Sequence, residues 1–201
     1  MRTIQLIIKD IFDFIASLLG LIIISPLFLI ICVAIKVNDP GPVFFKQKRI
    51  GKDGKTFEII KFRTMVVNAE RIGDGLVVQS EDDPRITRVG KILRKTSLDE
   101  LPQLINILQG QMSIVGPRPP VTYHPYNGYE NYPKKAKIRF KMKPGITGLA
   151  QVEKRNSATW DERIEIDIRY VRKFTLLLDL RILLKTFSSM LYTEEYTEQS
   201  K

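Results

Sequence analysis

The 201 residues carry 32 Lys and Arg against 22 Asp and Glu, a net charge of +10, with one cysteine (Cys32) and one histidine (His124). A lone cysteine excludes a disulfide framework, and with one histidine it excludes a Cys/His zinc site, so any metal would be a hard cation held by carboxylates and substrate oxygens. The length suits one domain with a real core plus an appendage, and the basic excess points to anionic partners: nucleic acid, phosphorylated substrates or lipid headgroups.

Phe14 to Ile35 is a run of 22 residues without a charge. At ~1.5 Å per residue it could cross a ~30 Å hydrocarbon layer, and it is too long for a cleaved signal peptide. Ser25-Pro26 interrupts its middle, where proline removes a helical hydrogen bond and bends the helix. Arg2 and Lys9 precede it, and Lys36, Lys46, Lys48 and Arg49 follow, a bias that suits a segment entering and leaving by one face. Residue physics alone leaves both a proline-kinked crossing and a re-entrant helix open.

Asn38-Asp39-Pro40-Gly41-Pro42 is a turn cluster that ends the apolar segment. Val43–Gln47 and Phe57–Arg63 read as strands joined by the hairpin-like loop Gly51–Lys55. Lys46, Lys48, Arg49, Lys61 and Arg63 make this ribbon basic. A solvated or headgroup-facing sheet is the ordinary reading, and a phosphate contact the sharper one. Asn68–Asp83 is polar and loop-like. A basic helix follows, with Ile86, Val89, Ile92 and Leu93 at helical spacing among Arg85, Arg88, Lys91, Arg94 and Lys95.

Ser97-Leu98-Asp99-Glu100-Leu101-Pro102-Gln103 then places two adjacent carboxylates where a helix is about to begin. Ser97 with Glu100 fits a capping box, Pro102 is tolerated in a first turn, and Leu101, Leu104, Ile105 and Leu108 form one apolar face ending at Gly110. An acidic first turn is the ordinary reading of such a stretch taken alone. Met112–Pro120 is a stiff turn that holds Arg118 between prolines, pre-ordered for a bidentate oxyanion contact. Tyr123–Tyr132 is aromatic and polar, and Lys134, Lys135, Lys137, Arg139, Lys141 and Lys143 follow. Pro144–Val152 is expected to end in a short strand after two glycines that admit close approach of a ligand. A helix from Asp161 carries Ile164, Ile168 and Val171 on one face, with Asp167, Arg169 and Tyr170 nearby. Phe174–Leu191 reads as an amphipathic helix, of the core or of an interface, and the residues after Tyr192 as a frayed tail.

Four stretches carry a resemblance together that none carries singly: Gly41–Gln47, Lys61-Phe62-Arg63-Thr64-Met65, Ser97–Gln103, and Val115-Gly116-Pro117-Arg118-Pro119 with Pro144–Val152. In this order, behind an apolar segment containing Ser-Pro, the chain resembles the bacterial sugar transferase family, the monotopic polyprenyl-phosphate phosphoglycosyl transferases. The likeness runs from about Lys9 to Leu191 and is to the minimal, catalytic-unit form.

The resemblance implies an α+β fold in three parts. Residues 1–37 would form a re-entrant membrane helix-break-helix turning at Ser25 and Pro26. Residues 38–192 would form a small, mostly helical cytosolic catalytic domain with a short β-ribbon and interfacial amphipathic helices, and 193–201 a polar tail. It also implies a Mg²⁺-dependent transferase of the EC 2.7.8 type at the cytosolic face of a bacterial inner membrane. The reaction would move a sugar-1-phosphate from a UDP-sugar to polyprenyl (undecaprenyl) phosphate through a covalent phosphosugar-aspartate, releasing UMP, as the first membrane step of polysaccharide or glycoconjugate synthesis.

The family's Asp-Glu dyad maps onto Asp99 and Glu100, with Asp99 as nucleophile and metal contact. Glu100 would assist with metal, positioning or proton handling. Arg94, Arg118 and Lys61 are the expected phosphate ligands, Arg155 a nucleotide contact, and Asp167 and Tyr170, which match an acidic-aromatic pattern of the family near the C-terminal helix, are expected substrate contacts. Glu153-Lys154-Arg155-Asn156 departs from the family in lacking a glycine before the arginine. Competing readings are a membrane-anchored UDP-sugar phosphohydrolase, an inactive assembly protein and a nucleic-acid binder. The chain carries no recognised nucleic-acid module, and the intact dyad with Arg118 weighs against decay. The motifs specify the reaction rather than the sugar or the oligomeric state, and the least family-like stretches, Asn68–Asp83 and Val121–Tyr132, are where sugar specificity is expected.

Overall fold

The computed structural model describes residues 2–72, 83–154 and 157–191. It opens with one helix, α1 (Arg2–Asn38), roughly 55 Å long at the α-helical rise. Among the described residues, α1 is the one helix long and apolar enough to cross a membrane by length and composition. The break expected at Ser25-Pro26 is not seen, and helical structure continues through both residues. Pro26 has no N–H, which deprives the Ile22 carbonyl of its usual partner, and the Ser25 hydroxyl donates to that oxygen at 2.8 Å. The serine before the proline thus supplies the missing bond.

The two sides of α1 differ. Lys9, Asp13, Ser17, Ile31 and Ile35 are buried along one stripe, while Ile7, Ile11, Phe14, Ile22, Ile23 and Ile30 are exposed on the other side. The stripe touches the rest of the chain at both ends. Lys9 pairs with Asp179, the Asp13 carboxylate accepts from the Ser113 hydroxyl, and Phe28, Ile31 and Ile35 pack with Phe62 and Leu93.

β1 (Phe44–Ile50) and β2 (Thr56–Phe62) form the expected antiparallel hairpin, in register from Phe44↔Phe62 to Ile50↔Thr56. Phe28 of α1 meets Phe44 and Phe62 at ring-centroid distances of 5.9 and 4.7 Å, an aromatic cluster that fixes the helix to the ribbon. α2 (Arg88–Lys95) follows, capped by the Thr87 side chain.

α3 (Gln103–Leu108) is shorter than the apolar spacing suggested; it packs on β2 through Leu104 and Ile107 and is hydrogen-bonded to it through Asn106. Asn106, fully buried, accepts from the Ile60 N–H at 3.0 Å and donates to the Glu58 carbonyl and to Gln111 Oε1, each at 2.7 Å. Its amide therefore stands in for a neighbouring strand. Asn106→Leu keeps the volume but strips two main-chain groups of their partner, and should cost about 2–4 kcal/mol. A lowered urea midpoint at unchanged m-value is the expected measurement.

β3 (Ser113–Val115) and β4 (Gly145–Thr147) form a two-stranded parallel pair. The strand expected at the end of Pro144–Val152 lies instead at its start, and Leu149–Lys154 is a helix, α4. The two glycines also serve a different purpose from ligand approach. A Cβ on Gly145 would lie 2.0 Å from the Gly116 nitrogen, and one on Gly148 2.2 Å from the Gly116 oxygen. Both therefore admit backbone against backbone, which is what brings β4 against the start of the Arg118 loop.

α5 (Trp160–Arg172) begins at a capping box between Thr159 and Glu162, and α6 (Leu176–Leu191) ends the described chain. Val115, Met142, Leu149, Ile166, Val171 and Ile182 make the core between β3, α4, α5 and α6. Leu177, Leu180, Leu184 and Phe187 of α6 remain exposed. The tail expected at 193–201 and most of the loop expected at 68–83 lie outside the described residues.

Candidate active site

Asp99 and Glu100 sit in a 3₁₀ turn, Leu98–Glu100, just before α3. The capping box expected between Ser97 and Glu100 does not form. Ser97 is left-handed (φ 56°, ψ 16°) and makes no side-chain cap bond, whereas a capping residue needs extended backbone. Glu100 turns away from the main chain to two cations, Lys61 Nζ at 2.5 Å and Arg118 Nη2 at 3.2 Å. Charge-assisted bonds in a half-buried site outweigh a bond to a backbone N–H. The unusual backbone at Ser97 is what aims both carboxylates at β2 rather than along the helix.

The cations come from three directions. Lys61 projects from β2 and also lies 3.7 Å from Asp99. Arg94, on the last turn of α2, donates through Nε to Thr64 Oγ1 at 2.9 Å and lies within electrostatic reach of Asp99. Arg118 is 41% exposed, open to a ligand on one side and bound to Glu100 on the other. Its loop is held at two successive carbonyls: Arg139 Nη2 donates to the Arg118 carbonyl at 2.9 Å, and Arg49 Nη1 to that of Pro119 at 3.0 Å.

Arg49 belongs to no motif of the site and reads in the sequence as one of five basic ribbon positions. Burial and the nearby Arg118 pull its guanidinium down to about 10, so it stays charged at neutral pH and is felt by Glu100. Period-two alternation could have found it. With a Gly51–Lys55 loop, Arg49 pairs with Phe57, which puts Arg49 and Lys61 on one face of the ribbon. Lys61, Arg94, Arg118 and Arg49 thus surround two carboxylates, leaving a positive surplus suited to a diphosphate.

The two carboxylates are driven apart. Burial, only partly offset by Lys61, raises the Asp99 carboxyl above its ordinary value. Burial pushes Glu100 the same way, but Arg118 and Lys61 overcome it and bring Glu100 down to about 2. A carboxyl that titrates at about 2 when folded, against 4.5 ordinarily, stabilises the fold fully above pH 4.5, and that contribution disappears as pH falls toward 2. On the order of 3 kcal/mol is at stake. Glu100→Gln should therefore flatten the acid limb of stability between pH 4.5 and 2, read by denaturant titration at successive pH values. An acid limb as steep as that of the unmodified protein would show that Glu100 is not held ionised by its partners.

Two expected substrate contacts are placed elsewhere. Asp167 is 1% exposed and accepts from Arg139 Nε and Nη2 at 3.0 and 2.6 Å. Tyr170 is likewise 1% exposed, its hydroxyl donating to Asp179 Oδ1 at 2.8 Å and reaching the Val115 carbonyl at 3.3 Å. Both side chains are buried and engaged within the fold. Both hold β3 and the Arg118 loop from behind. Arg155 lies outside the described residues.

Among the described residues no three His, Cys, Asp or Glu side chains converge on one point. Mg²⁺ commonly takes one or two carboxylates and completes its shell with phosphate oxygens and water. Asp99, the less engaged of the dyad, fits as that carboxylate.

A family model described as bacterial sugar transferase matches residues 4–193. The chain is 41% identical over 202 residues to the exopolysaccharide production protein ExoY of Sinorhizobium fredii, covering 94% of this chain and 88% of that one. It is 44% identical over 188 residues to the UDP-glucose:undecaprenyl-phosphate glucose-1-phosphate transferase of Klebsiella pneumoniae, and 41% identical over 197 residues to the galactosyl transferase CpsE of Streptococcus agalactiae. Those two alignments cover 91% and 93% of this chain but 40% and 43% of the relatives, so the chain spans less than half of their length. By the match along its length and by these relatives, the chain belongs to the bacterial sugar transferase family.

Proposed function

We propose that the protein transfers a sugar-1-phosphate from a UDP-sugar to a polyprenyl phosphate, releasing UMP. The observation that carries this reading is the split dyad: Asp99 raised by burial, and Glu100 paired with Lys61 and Arg118. Both are buried, and Asp99, the one not tied to two cations at hydrogen-bond distance, is the better nucleophile. An oxygen of Asp99 attacks the phosphorus next to the sugar, the bond to the UMP oxygen breaks, and UMP leaves with that electron pair. An oxygen of the lipid phosphate then attacks the same phosphorus and displaces the Asp99 carboxylate. Glu100, ionised at neutral pH, acts by holding Lys61 and Arg118 rather than as a proton donor. Arg118, Arg94 and Lys61 offset the charge of anion meeting anion. Magnesium bound at Asp99 and the diphosphate would add to that neutralisation.

The test is UMP release across a panel of UDP-sugars, with and without polyprenyl phosphate, with lipid-linked product followed in parallel. The expected result is lipid-dependent turnover with one preferred sugar. Equal UMP release without lipid would make the protein a phosphohydrolase instead.

We further propose a monotopic placement at the cytosolic face of the inner membrane, with both halves of α1 held at one leaflet. Support comes from the contacts of α1, whose first half pairs with Asp179 and Ser113 and whose second half packs on Phe62 and Leu93 of the same polar domain. A helix crossing straight to the far side could not make both sets. Cysteines placed at either terminus in intact cells should both be protected from a membrane-impermeant label. Labelling of only one terminus would refute this placement.

A further inference from the structure

A cavity of about 240 Å³ opens between α1, α6 and β3, lined by neither the dyad nor its cations. Ile8 and Phe12 wall it on one side, Leu180 and Leu183 on another, and Ile114 and Val115 form its back. The space is many times the ~10–15 Å³ that a single water-sized group needs, room for a stretch of hydrocarbon chain. Its mouth is continuous with an apolar surface, since Ile4, Ile7, Ile8, Ile11 and Phe12 of α1 and Leu177, Leu180 and Leu184 of α6 are all exposed.

The inner end decides what kind of group can enter. Lys9, Asp13 and Asp179 line it, two carboxylates to one ammonium. Their oxygens are already engaged: Asp179 by Lys9 at 2.6 Å and Tyr170 at 2.8 Å, and Asp13 by the Ser113 hydroxyl at 2.6 Å and the Ile114 N–H at 3.2 Å. A phosphate or carboxylate would meet net negative charge there, and an uncharged polar group would find these acceptors taken. The cavity therefore accepts hydrocarbon, tail first. Its position selects among hydrocarbons. It lies at Ile8–Asp13, while the ribbon that carries Lys61 packs on α1 near Ile31 and Ile35, roughly 30 Å further along the helix. The turn that carries the dyad packs at that far end through Leu98 and Leu101, so the cavity is entered from the apolar surface beside Ile8 and Phe12, where bilayer phospholipid is the abundant hydrocarbon.

We propose that this cavity takes one acyl chain of a bilayer phospholipid, which wedges between α1 and α6 and seats the first half of α1 in the leaflet. The inference rests on the membrane placement of α1 and is independent of the transfer chemistry. The test uses the full chain in vesicles of phosphatidylglycerol and phosphatidylethanolamine containing a phospholipid with a diazirine near the end of one acyl chain. After photolysis, adducts are mapped by peptide mass spectrometry. Adducts are expected on the outer face of α1, at Ile22, Ile23 and Ile30, and also on the peptide carrying Ile114 and Val115, which only a chain inside the cavity can reach. Leu183→Trp, which fills the cavity, should abolish the second set and spare the first. Ile8→Trp, at the exposed mouth, serves the same purpose should Leu183→Trp fail to fold. Outer-face adducts without any at Ile114–Val115 overturn the proposal, as do Ile114–Val115 adducts that survive the cavity-filling variant. Labelling there by a diazirine polyprenyl phosphate in preference to the phospholipid also overturns it. An absence of adducts on α1 altogether would refute the membrane placement on which it rests.

Discussion

Asp99→Asn should abolish UMP release from every UDP-sugar while leaving the fold and membrane association intact. The two effects are separable because of how the dyad is built. Asparagine has the shape of aspartate, and the Lys61–Glu100 and Arg118–Glu100 contacts do not pass through Asp99. Burial raises the Asp99 carboxyl, so the folded protein disfavours its charge, and removing that charge leaves stability unchanged or slightly higher. The amide has no anionic oxygen with which to form the phosphosugar ester, and loss of such a nucleophile costs about 10⁴-fold or more in turnover. Single-turnover assay of UMP, with intact-mass detection of an added sugar phosphate, is the measurement. Glu100→Gln should instead loosen Lys61 and Arg118, raising KM and lowering kcat without removing the covalent step. An Asp99→Asn protein within about tenfold of unmodified activity would eliminate the covalent route. Thermal unfolding of the same sample distinguishes a lost nucleophile from a misfolded chain.

What could be read from residues alone follows the range of the interactions involved. The ribbon was legible because strand alternation and a Gly-Lys-Asp-Gly loop are local signals, and observed pairing from Phe44↔Phe62 to Ile50↔Thr56 agrees with them. The dyad and two of its cations, Lys61 and Arg118, were legible as family motifs. The capping box was a plausible misreading, since Ser-x-x-Glu satisfies a local rule, and only the folded chain brings Lys61, 39 positions earlier, to Glu100. Asp167 and Tyr170 misled for the same reason. A charged and an aromatic residue near a motif look like ligands until Arg139 and Asp179 arrive from other elements to bury them. Lys9 and Asp13 gave no signal beyond a basic flank and an acidic neighbour, because the buried faces they join belong to α6 and β3. Asn106 was hidden among leucines, although a polar residue on an apolar helix face is itself a hint of a buried partner.

That long-range layer makes a second large prediction, centred on Arg139. This side chain is 2% exposed, pairs with the buried Asp167 at 2.6 Å and holds the Arg118 carbonyl at 2.9 Å. Arg139→Met leaves Asp167 as an unpaired buried charge, and about 3–5 kcal/mol of stability should be lost. The pair itself is imperfect, since Arg139 Nη1 and Asp167 Oδ1 are buried without hydrogen-bond partners. Replacing both residues with apolar ones of similar volume, as Arg139→Met with Asp167→Leu, should recover most of that loss. Activity should not return with it. The Arg118 carbonyl still lacks its donor in the double variant, and if Arg118 binds phosphate as proposed, displacing it by about an ångström costs on the order of 10²-fold. The loss should fall mainly on KM for the UDP-sugar if Arg118 holds the ground-state diphosphate, and mainly on kcat if it meets charge that develops during transfer. A double variant that regains both stability and activity would reduce Arg139 to a filler of the core. One that regains stability alone identifies it as the residue that sets Arg118 against Glu100, and makes the buried ion pair a positioning device for that cation.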